Sequence, residues 1–234
     1  IEEDKDGHMI LEIPKNAETI LHILEKAGYE AYVVGGCVRD SILGRSPDDW
    51  DITTSAKPEQ VKALFHRTVD TGLQHGTVTV LMEKEGYEVT TYRVDGEYED
   101  GRHPKEVTFT ASLEEDLKRR DFTINAMAVC LNKKRFGELV DPFGGMDDLK
   151  ERTIRTPLDP DITFSDDPLR MMRCIRFATQ LNFYIDDETF EALSRNKERI
   201  HIISKERIAD ELNKILLAPI PSKGFIELDR CGFC

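Results

Sequence analysis

Several absences narrow what this chain can be. No stretch is long and apolar enough to span a bilayer, and no signal peptide precedes the first helical pattern, so neither a membrane protein nor a secreted one is expected. Five cysteines make an odd number without framework spacing, which points to a reducing, cytoplasmic setting. Cys37, Cys130 and Cys174 read as small core residues, and Cys231-x-x-Cys234 lacks the companions that a zinc or redox site needs. The six histidines show no metal spacing and no His-Glu-x-x-His pair. No Gly-x-x-x-x-Gly-Lys-[Ser/Thr] loop occurs, which argues against a Walker-type NTPase. There is no internal repeat or low-complexity tract. Positive charge is in deficit: 32 basic against 45 acidic side chains leave a net charge of −13. That argues against broad nucleic-acid binding but leaves room for local basic clusters, Lys118-Arg119-Arg120 and the row Arg170, Arg173, Arg176.

What is present suffices for a core. The 234 residues, 39% hydrophobic, suit one large domain or two modest ones. Residues 1–12 read as a tag or disordered start, being acidic, without an initial Met, and followed by His8-Met9. Pro14 to Ala27 reads as an amphipathic helix with Gly28 as its stop, Ala31 to Val34 as a buried strand, and Cys37 to Leu43 as a short helix. Trp50 to Thr53 reads as a second strand, and Pro58 opens a helix to about His66. Thr77 to Met82 and Tyr87 to Arg93 read as strands joined at Glu85-Gly86, and Val94 to Lys105 as a mobile loop. Ser112-x-x-Glu115 is a capping box, and Thr123 to Val129 looks helical. Asp141 to Gly145 reads as a turn, Asp147 to Glu151 begins a connector, and from Asp166 on the pattern is almost all helical: Asp167 to Gln180, Asp187 to Arg195, and Ser204 to Leu217 with Ser204 as N-cap. The expected organisation is a mixed α/β part over 13–156, an all-α part over 157–217, and the beginning of a further domain over 218–234.

The chemistry concentrates at Gly35-Gly36-Cys37-Val38-Arg39-Asp40 followed by Asp49-Trp50-Asp51. A glycine turn opening a helix can hold phosphate against backbone N–H groups. Two carboxylates at i and i+2 of a strand share a face and can hold divalent metal beside that phosphate. Glycine pairs and surface acids are individually commonplace; their combination across strand, turn, helix and strand is much rarer. Glu88 joins the same face if its strand pairs with the Asp strand in register, and is otherwise an ordinary polar residue. In Arg119 to Ala128, Arg120 suits phosphate and Asn125 a sugar hydroxyl or base edge, with Asp121 between them. Asp167 and Arg170 lie three apart at a helix start, either as a cap with an ion pair or as an acceptor and donor for a nucleobase edge. Arg173 and Arg176 continue the basic row toward phosphates.

These motifs, in this order, resemble the bacterial-type (class II) tRNA nucleotidyltransferase/poly(A) polymerase family over roughly Ala31 to Leu217. The resemblance implies a DNA polymerase beta-like α/β head, with a mixed sheet and helices, followed by an all-α neck. It implies that Asp49, Asp51 and Glu88 bind Mg2+. It also implies that Gly35, Gly36, Arg39, Arg120, Asp121, Asn125, Arg173 and Arg176 serve the nucleotide, and that Asp167 and Arg170 discriminate CTP and ATP. Asp141 to Leu149 is similar to the family's head–neck hinge, and Glu206-Arg207-Ile208-x-x-Glu211-Leu212 to its neck-stabilising motif. The base-reading motif has Asp166 where the family usually has Glu. The implied activity is addition of CCA to the tRNA 3′ end from CTP and ATP.

A poly(A) polymerase of this group carries a basic Gly-Arg-Arg-Phe-like signature where this chain has Leu64 to Asp70, which lowers that alternative. Arg93 to Pro104 is similar to the loop needed for ATP addition; an A-adding specialist stays open. A non-catalytic RNA- or nucleotide-binding module predicts missing carboxylates, and all three are present. A small-molecule nucleotidyltransferase has no use for the Arg119 to Ala128 and Asp166 to Arg170 motifs.

Overall fold

The computed structural model describes residues 2–3, 9–95, 107–131 and 138–233. Its first long helix, α1 (Lys15–Lys26), forms because Ala17, Ile20, Leu21 and Leu24 recur at helical spacing, and all four are fully buried. Each of the larger three contributes roughly 1.5–3 kcal/mol by leaving water. Gly28, at φ 94°, ends the helix's approach to the sheet.

The sheet has seven strands: β1 (Ala31–Val34), β2 (Asp51–Thr54), β3 (Thr68–Gly72), β4 (Thr77–Met82), β5 (Glu85–Thr91), β6 (Ala128–Cys130) and β7 (Glu138–Val140), in the order β7-β6-β1-β2-β5-β4-β3. It is mixed: β2 and β5 run parallel, and the other neighbours run antiparallel. Helices α2 (Gly36–Ile42), α3 (Pro58–Leu64) and α4 (Leu113–Lys118) complete this part. The Ser112 hydroxyl caps α4 by accepting the Glu115 N–H at 3.3 Å. Val34, Tyr92, Leu113, Leu117, Ala126 and Ala128 form one buried cluster between α4 and the sheet.

The chain falls into two compact units. The α/β unit comprises the segments up to Val94, Val107–Arg119 and Asn125–Phe143; the second comprises Asp95, Arg120–Ile124 and the residues from Gly144 onward. The second is helical: α5 (Gly145–Lys150), α6 (Pro160–Asp166), α7 (Leu169–Leu181), α8 (Asp187–Asn196), a 3-10 stretch Lys197–Ile202, α9 (Lys205–Leu216) and α10 (Pro221–Arg230). One two-residue parallel pair, Thr153–Ile154 with Tyr184–Ile185, accompanies them. Side-chain caps start three of these helices: Asp159, Asp186 and Ser204 accept N–H groups of Asp161, Thr189 and Arg207. No helix among the described residues is long and apolar enough to cross a membrane.

Four local expectations give way. Thr123 to Val129 is not a helix: Thr123–Asn125 makes one 3-10 turn and Ala128–Cys130 is a sheet strand. Every residue from Asp121 to Leu131 is buried, and such two-sided burial produces a continuous apolar run that periodicity cannot assign. The β4–β5 turn is Glu83-Lys84, with Glu83 at φ 57°, whereas Glu85 and Gly86 already pair in the ladder. The second strand begins at Asp51, so Asp49 lies in the segment entering it. The helix expected from Asp167 begins at Leu169; Asp167 links it to α6, whose Asp159-Pro160 start the sequence reading passed over. The expected mobile loop lies mostly outside the described residues, which resume at Val107; Val107–Phe109 pairs with Arg93–Asp95.

Candidate active site

The α/β unit assembles its acidic edge through strand register. Parallel pairing of Ile52 with Val89 sets Asp51 and Glu88 one step earlier on adjacent strands, on the same face. Both carboxylates are exposed, as is Asp49 two residues before Asp51. On the other side Asp51 pairs with Val34, the last residue of β1 before the Gly35-Gly36 turn. The glycine turn and the acids therefore meet at one end of the sheet. The condition attached to Glu88, a matching register beside the Asp strand, is met.

The turn needs glycine at its first position. Gly35 has φ 84° and ψ −137°, a region essentially closed to other residues. At Gly36 a Cβ would come within 3.3 Å of Arg39 Nη2, because Arg39 folds back over the turn. Arg39 Nε donates to Asp40 Oδ1 at 3.0 Å and Nη1 to Asn125 Oδ1 at 2.6 Å. Asn125 is thus tied to the glycine motif across 86 positions of sequence. Cys37, beneath the turn, has its thiol pushed up to about 12 by burial and by the neighbouring Asp51 charge, so it stays protonated and inert.

Beneath this edge lies a residue that the sequence reading overlooked. Asp116 is fully buried and accepts from the Thr53 hydroxyl at 2.9 Å, the Arg93 N–H at 3.1 Å and Arg119 Nε at 3.3 Å. It ties β2 to α4 and to the start of the Arg93 strand. An acid on a short helix with an arginine three residues on reads as an ordinary surface ion pair, so no sequence signal marks its burial.

The second unit uses charge differently. Asp121 is buried and accepts Arg173 Nε and Nη2 on one oxygen, at 2.9 and 2.7 Å, and the Phe122 N–H on the other, at 2.8 Å. Burial lowers the Arg173 pKa, but Asp121 outweighs it, so the guanidinium is held charged. Arg176 is buried and donates from Nε to Glu211 of α9, while its guanidinium lies 4.2 Å from the Phe177 ring centroid. Arg173 and Arg176 are therefore both engaged in ion pairs. Asp148, also buried, accepts the Thr123 hydroxyl at 2.6 Å and Arg155 Nε at 3.3 Å, while Arg155 Nη1 reaches Asp186 at 2.8 Å.

Asp167 stands between α6 and α7, partly buried. Its Oδ1 accepts the Leu169 N–H at 3.2 Å. Burial raises its pKa against the opposing charges of Arg170, Arg207 and Arg173. Arg170 reaches back from α7 with Nη1 3.5 Å from the Thr163 carbonyl. Arg120 is partly buried in this unit.

For a metal, the donor chemistry of the α/β edge is all carboxylate oxygen, which suits a hard divalent cation. No group of three acidic, imidazole or thiol side chains among the described residues forms a ready cage. Magnesium is commonly held by one or two carboxylates completed by substrate phosphates and water, so the residues fit that ion.

A mixed nucleotidyltransferase-type sheet with acids beside a glycine turn defines the class, and comparison with known proteins agrees. A family model described as "Poly A polymerase head domain" matches residues 31–155, and one described as "Probable RNA and SrmB-binding site of polymerase A" matches 182–234. The chain belongs to the poly(A) polymerase head-domain family. It is 51% identical over 216 residues to a CCA-adding enzyme of Levilactobacillus brevis, a match covering 92% of this chain and 53% of that protein. It is 50% identical over 209 residues to one from Anoxybacillus flavithermus, covering 89% and 52%. Among solved structures it is similar to the Bacillus stearothermophilus CCA-adding enzyme in complex with CTP, with a TM-score of 0.83, 43% identity, and coverage of 92% of this chain and 51% of that one. It is also similar to the Thermotoga maritima CCA-adding enzyme complexed with tRNA, with a TM-score of 0.78, 29% identity, and coverage of 94% and 52%. The chain spans about half the length of the curated relatives it matches.

Proposed function

We propose that this chain is the catalytic and nucleotide-selecting part of a template-independent tRNA nucleotidyltransferase that adds C, C and A to the tRNA 3′ end from CTP and ATP. The single observation that carries the reading is the β2–β5 register, which sets Asp51 beside Glu88 at the end of the sheet where the Gly35-Gly36 turn lies. The names of the relatives, among them a structure with CTP and one with tRNA, support the substrate assignment.

In this reading residues 13–156 form the catalytic head, 157–217 a neck that chooses the base, and 218–234 the beginning of a following domain. Asp49, Asp51 and Glu88 hold Mg2+, which when bound supplies Lewis acidity for the attacking hydroxyl and charge neutralisation for the leaving group. The tRNA 3′-hydroxyl gives its proton to solvent as it attacks the α-phosphorus; the new 3′-oxygen–phosphorus bond forms as the α–β phosphate bond breaks and pyrophosphate departs. Gly35 and Gly36 let the triphosphate approach backbone closely, and Arg39 and Arg120 attract its charge. Asn125, held by Arg39, faces the sugar. Asp121 fixes Arg173, and with Arg176 this row keeps α7 in place beneath Arg170. Asp167 accepts from the exocyclic amine that cytosine and adenine share, while Arg170 donates to the adjacent ring nitrogen. Catalysis is then mainly positioning and charge stabilisation.

The test uses the full-length gene product with magnesium and three tRNAs, ending before the CCA, after C and after CC, given CTP and ATP separately and together. Stepwise growth to CCA followed by a stop is expected. Use of ATP alone, and only on the CC-ending tRNA, would make it an A-adding specialist. Long A tails on any RNA would make it a poly(A) polymerase, against the reading of Leu64 to Asp70.

A further inference from the structure

The last residues of α8 and the 3-10 stretch after it grip α6 at both ends. At its first turn, Arg195 Nε and Nη2 donate to the two oxygens of Asp161 at 3.2 and 3.0 Å, and Asn196 Nδ2 adds a bond to Oδ1 at 2.7 Å. Asn196 is itself fixed by donating to the Ala192 carbonyl at 2.8 Å. At the last turn, Arg199 Nη2 donates to the Ser165 carbonyl at 2.9 Å. A seven-residue helix has little stability of its own, so its direction comes from such contacts and from Thr163 and Phe164 buried beneath it.

What α6 carries makes this grip consequential. The helix ends at Asp166 and delivers the chain directly to Asp167, and the Thr163 carbonyl lies under the Arg170 guanidinium. One short helix thus supports both members of the base-selecting pair. We propose that Arg195, Asn196 and Arg199 are positioning residues: they clamp α6 through Asp161 and Ser165, and so hold Asp167 and Arg170 in register with each other for nucleotide selection. This rests on the role given to that pair above. The clamp sits at the surface, with Arg195 and Asp161 side chains 53% and 45% exposed, so it adds little to global stability. Its contribution is angular: a shift of about 1 Å at a selecting group can cost up to the order of 10²-fold in kcat/KM.

The experiment measures addition of C to a tRNA ending before the CCA, and of A to one ending in CC, with the full-length gene product. Wild type, Asp161→Ala, Arg199→Ala and the charge-exchanged Asp161→Lys/Arg195→Glu pair are compared. Asp161→Ala and Arg199→Ala should each raise KM for both nucleotides about tenfold, relax rejection of UTP, and change kcat by less than about threefold. Their unfolding midpoints should stay within about 2 °C of wild type, and the exchanged pair should recover most of the KM. Unchanged KM and selection in an active protein would overturn the clamp. Loss of more than about 5 °C together with kcat would assign these residues to folding and overturn it as well. If wild type adds nothing to any tRNA, the role of Asp167 and Arg170 falls, and the clamp falls with it.

Discussion

Acidic side chains do opposite jobs in the two units. At the edge of the mixed sheet, Asp49, Asp51 and Glu88 are exposed, with strand register setting Asp51 beside Glu88. In the helical unit, Asp121, Asp148 and Glu211 are buried, each tied to an arginine. A carboxylate that is to hold a hard cation must keep open coordination sites, and a surface position on a rigid strand allows that. A carboxylate whose task is to fix helices gains from desolvation, because an unpartnered buried charge is too costly to leave, and the arrangement locks. Asp116 sharpens the contrast from within the α/β unit: it is an acid of the second kind, fully buried, stationed beneath acids of the first. Burial and partner, not residue type, separate the proposed ligands from the scaffold acids.

The largest effect expected tests the exposed set. Asp51→Ala should reduce single-turnover CMP addition by at least about 10²-fold, with the unfolding transition unchanged, because the side chain is solvent-facing. Near-normal turnover would remove Asp51 from the metal set and dissolve the contrast on that side. Next comes the buried set. Glu211→Ala leaves Arg176 without its carboxylate in a buried site and should cost about 3–5 kcal/mol in urea unfolding. A loss within the range of a surface pair, below about 1 kcal/mol, would mean that the burial is only apparent.

The two kinds of acid were unequally legible in the sequence. Asp49-x-Asp51 and Gly35-Gly36 stand out because their spacing encodes a local geometry, and the β1 strand, α1 and the Ser204 cap follow from local pattern in the same way. Glu88 could be stated only as a condition on register, a property of two strands that neither contains alone. Asp116 was invisible, because nothing near it in the sequence distinguishes a buried acid from a surface one. Thr123 to Val129 misled for a related reason: a segment buried on both sides loses the period that separates strand from helix. The Asp167 helix start was misjudged by two residues because Pro168 opens α7 and ends α6's reach at once. Local chemistry is readable, and what depends on pairing across the sheet or on burial is not.

Gly35→Ala tests the turn that adjoins the exposed acids. With φ at 84° and ψ at −137°, any Cβ is strained there, and the cost should be about 1–3 kcal/mol. If the turn cradles the triphosphate, the variant should also lose nucleotide affinity beyond that stability loss, read as a KM increase at temperatures where it is fully folded. A stability loss with unchanged KM would make the turn scaffold, on the same side of the contrast as Asp116.

The smallest effect decides where Asp167 belongs, since it is partly buried and close to arginines yet assigned to the substrate. Burial raises its pKa, so the folded protein holds this proton more tightly than the unfolded chain does. Its contribution to stability is therefore full below the unfolded carboxylate pKa and is lost as pH rises through the folded value. At neutral pH wild type carries a charge in a site that disfavours it, a cost consistent with a residue kept for function. Asp167→Asn should accordingly unfold at a slightly higher temperature than wild type at pH 8, with the advantage shrinking as pH falls toward 4, while its rejection of UTP deteriorates. Thermal melts at pH 8, 6 and 4 check the sign. If the variant is instead less stable than wild type at pH 8, the pull of Arg170, Arg207 and Arg173 outweighs burial, and Asp167 joins Asp121 and Glu211 among the acids that hold helices together.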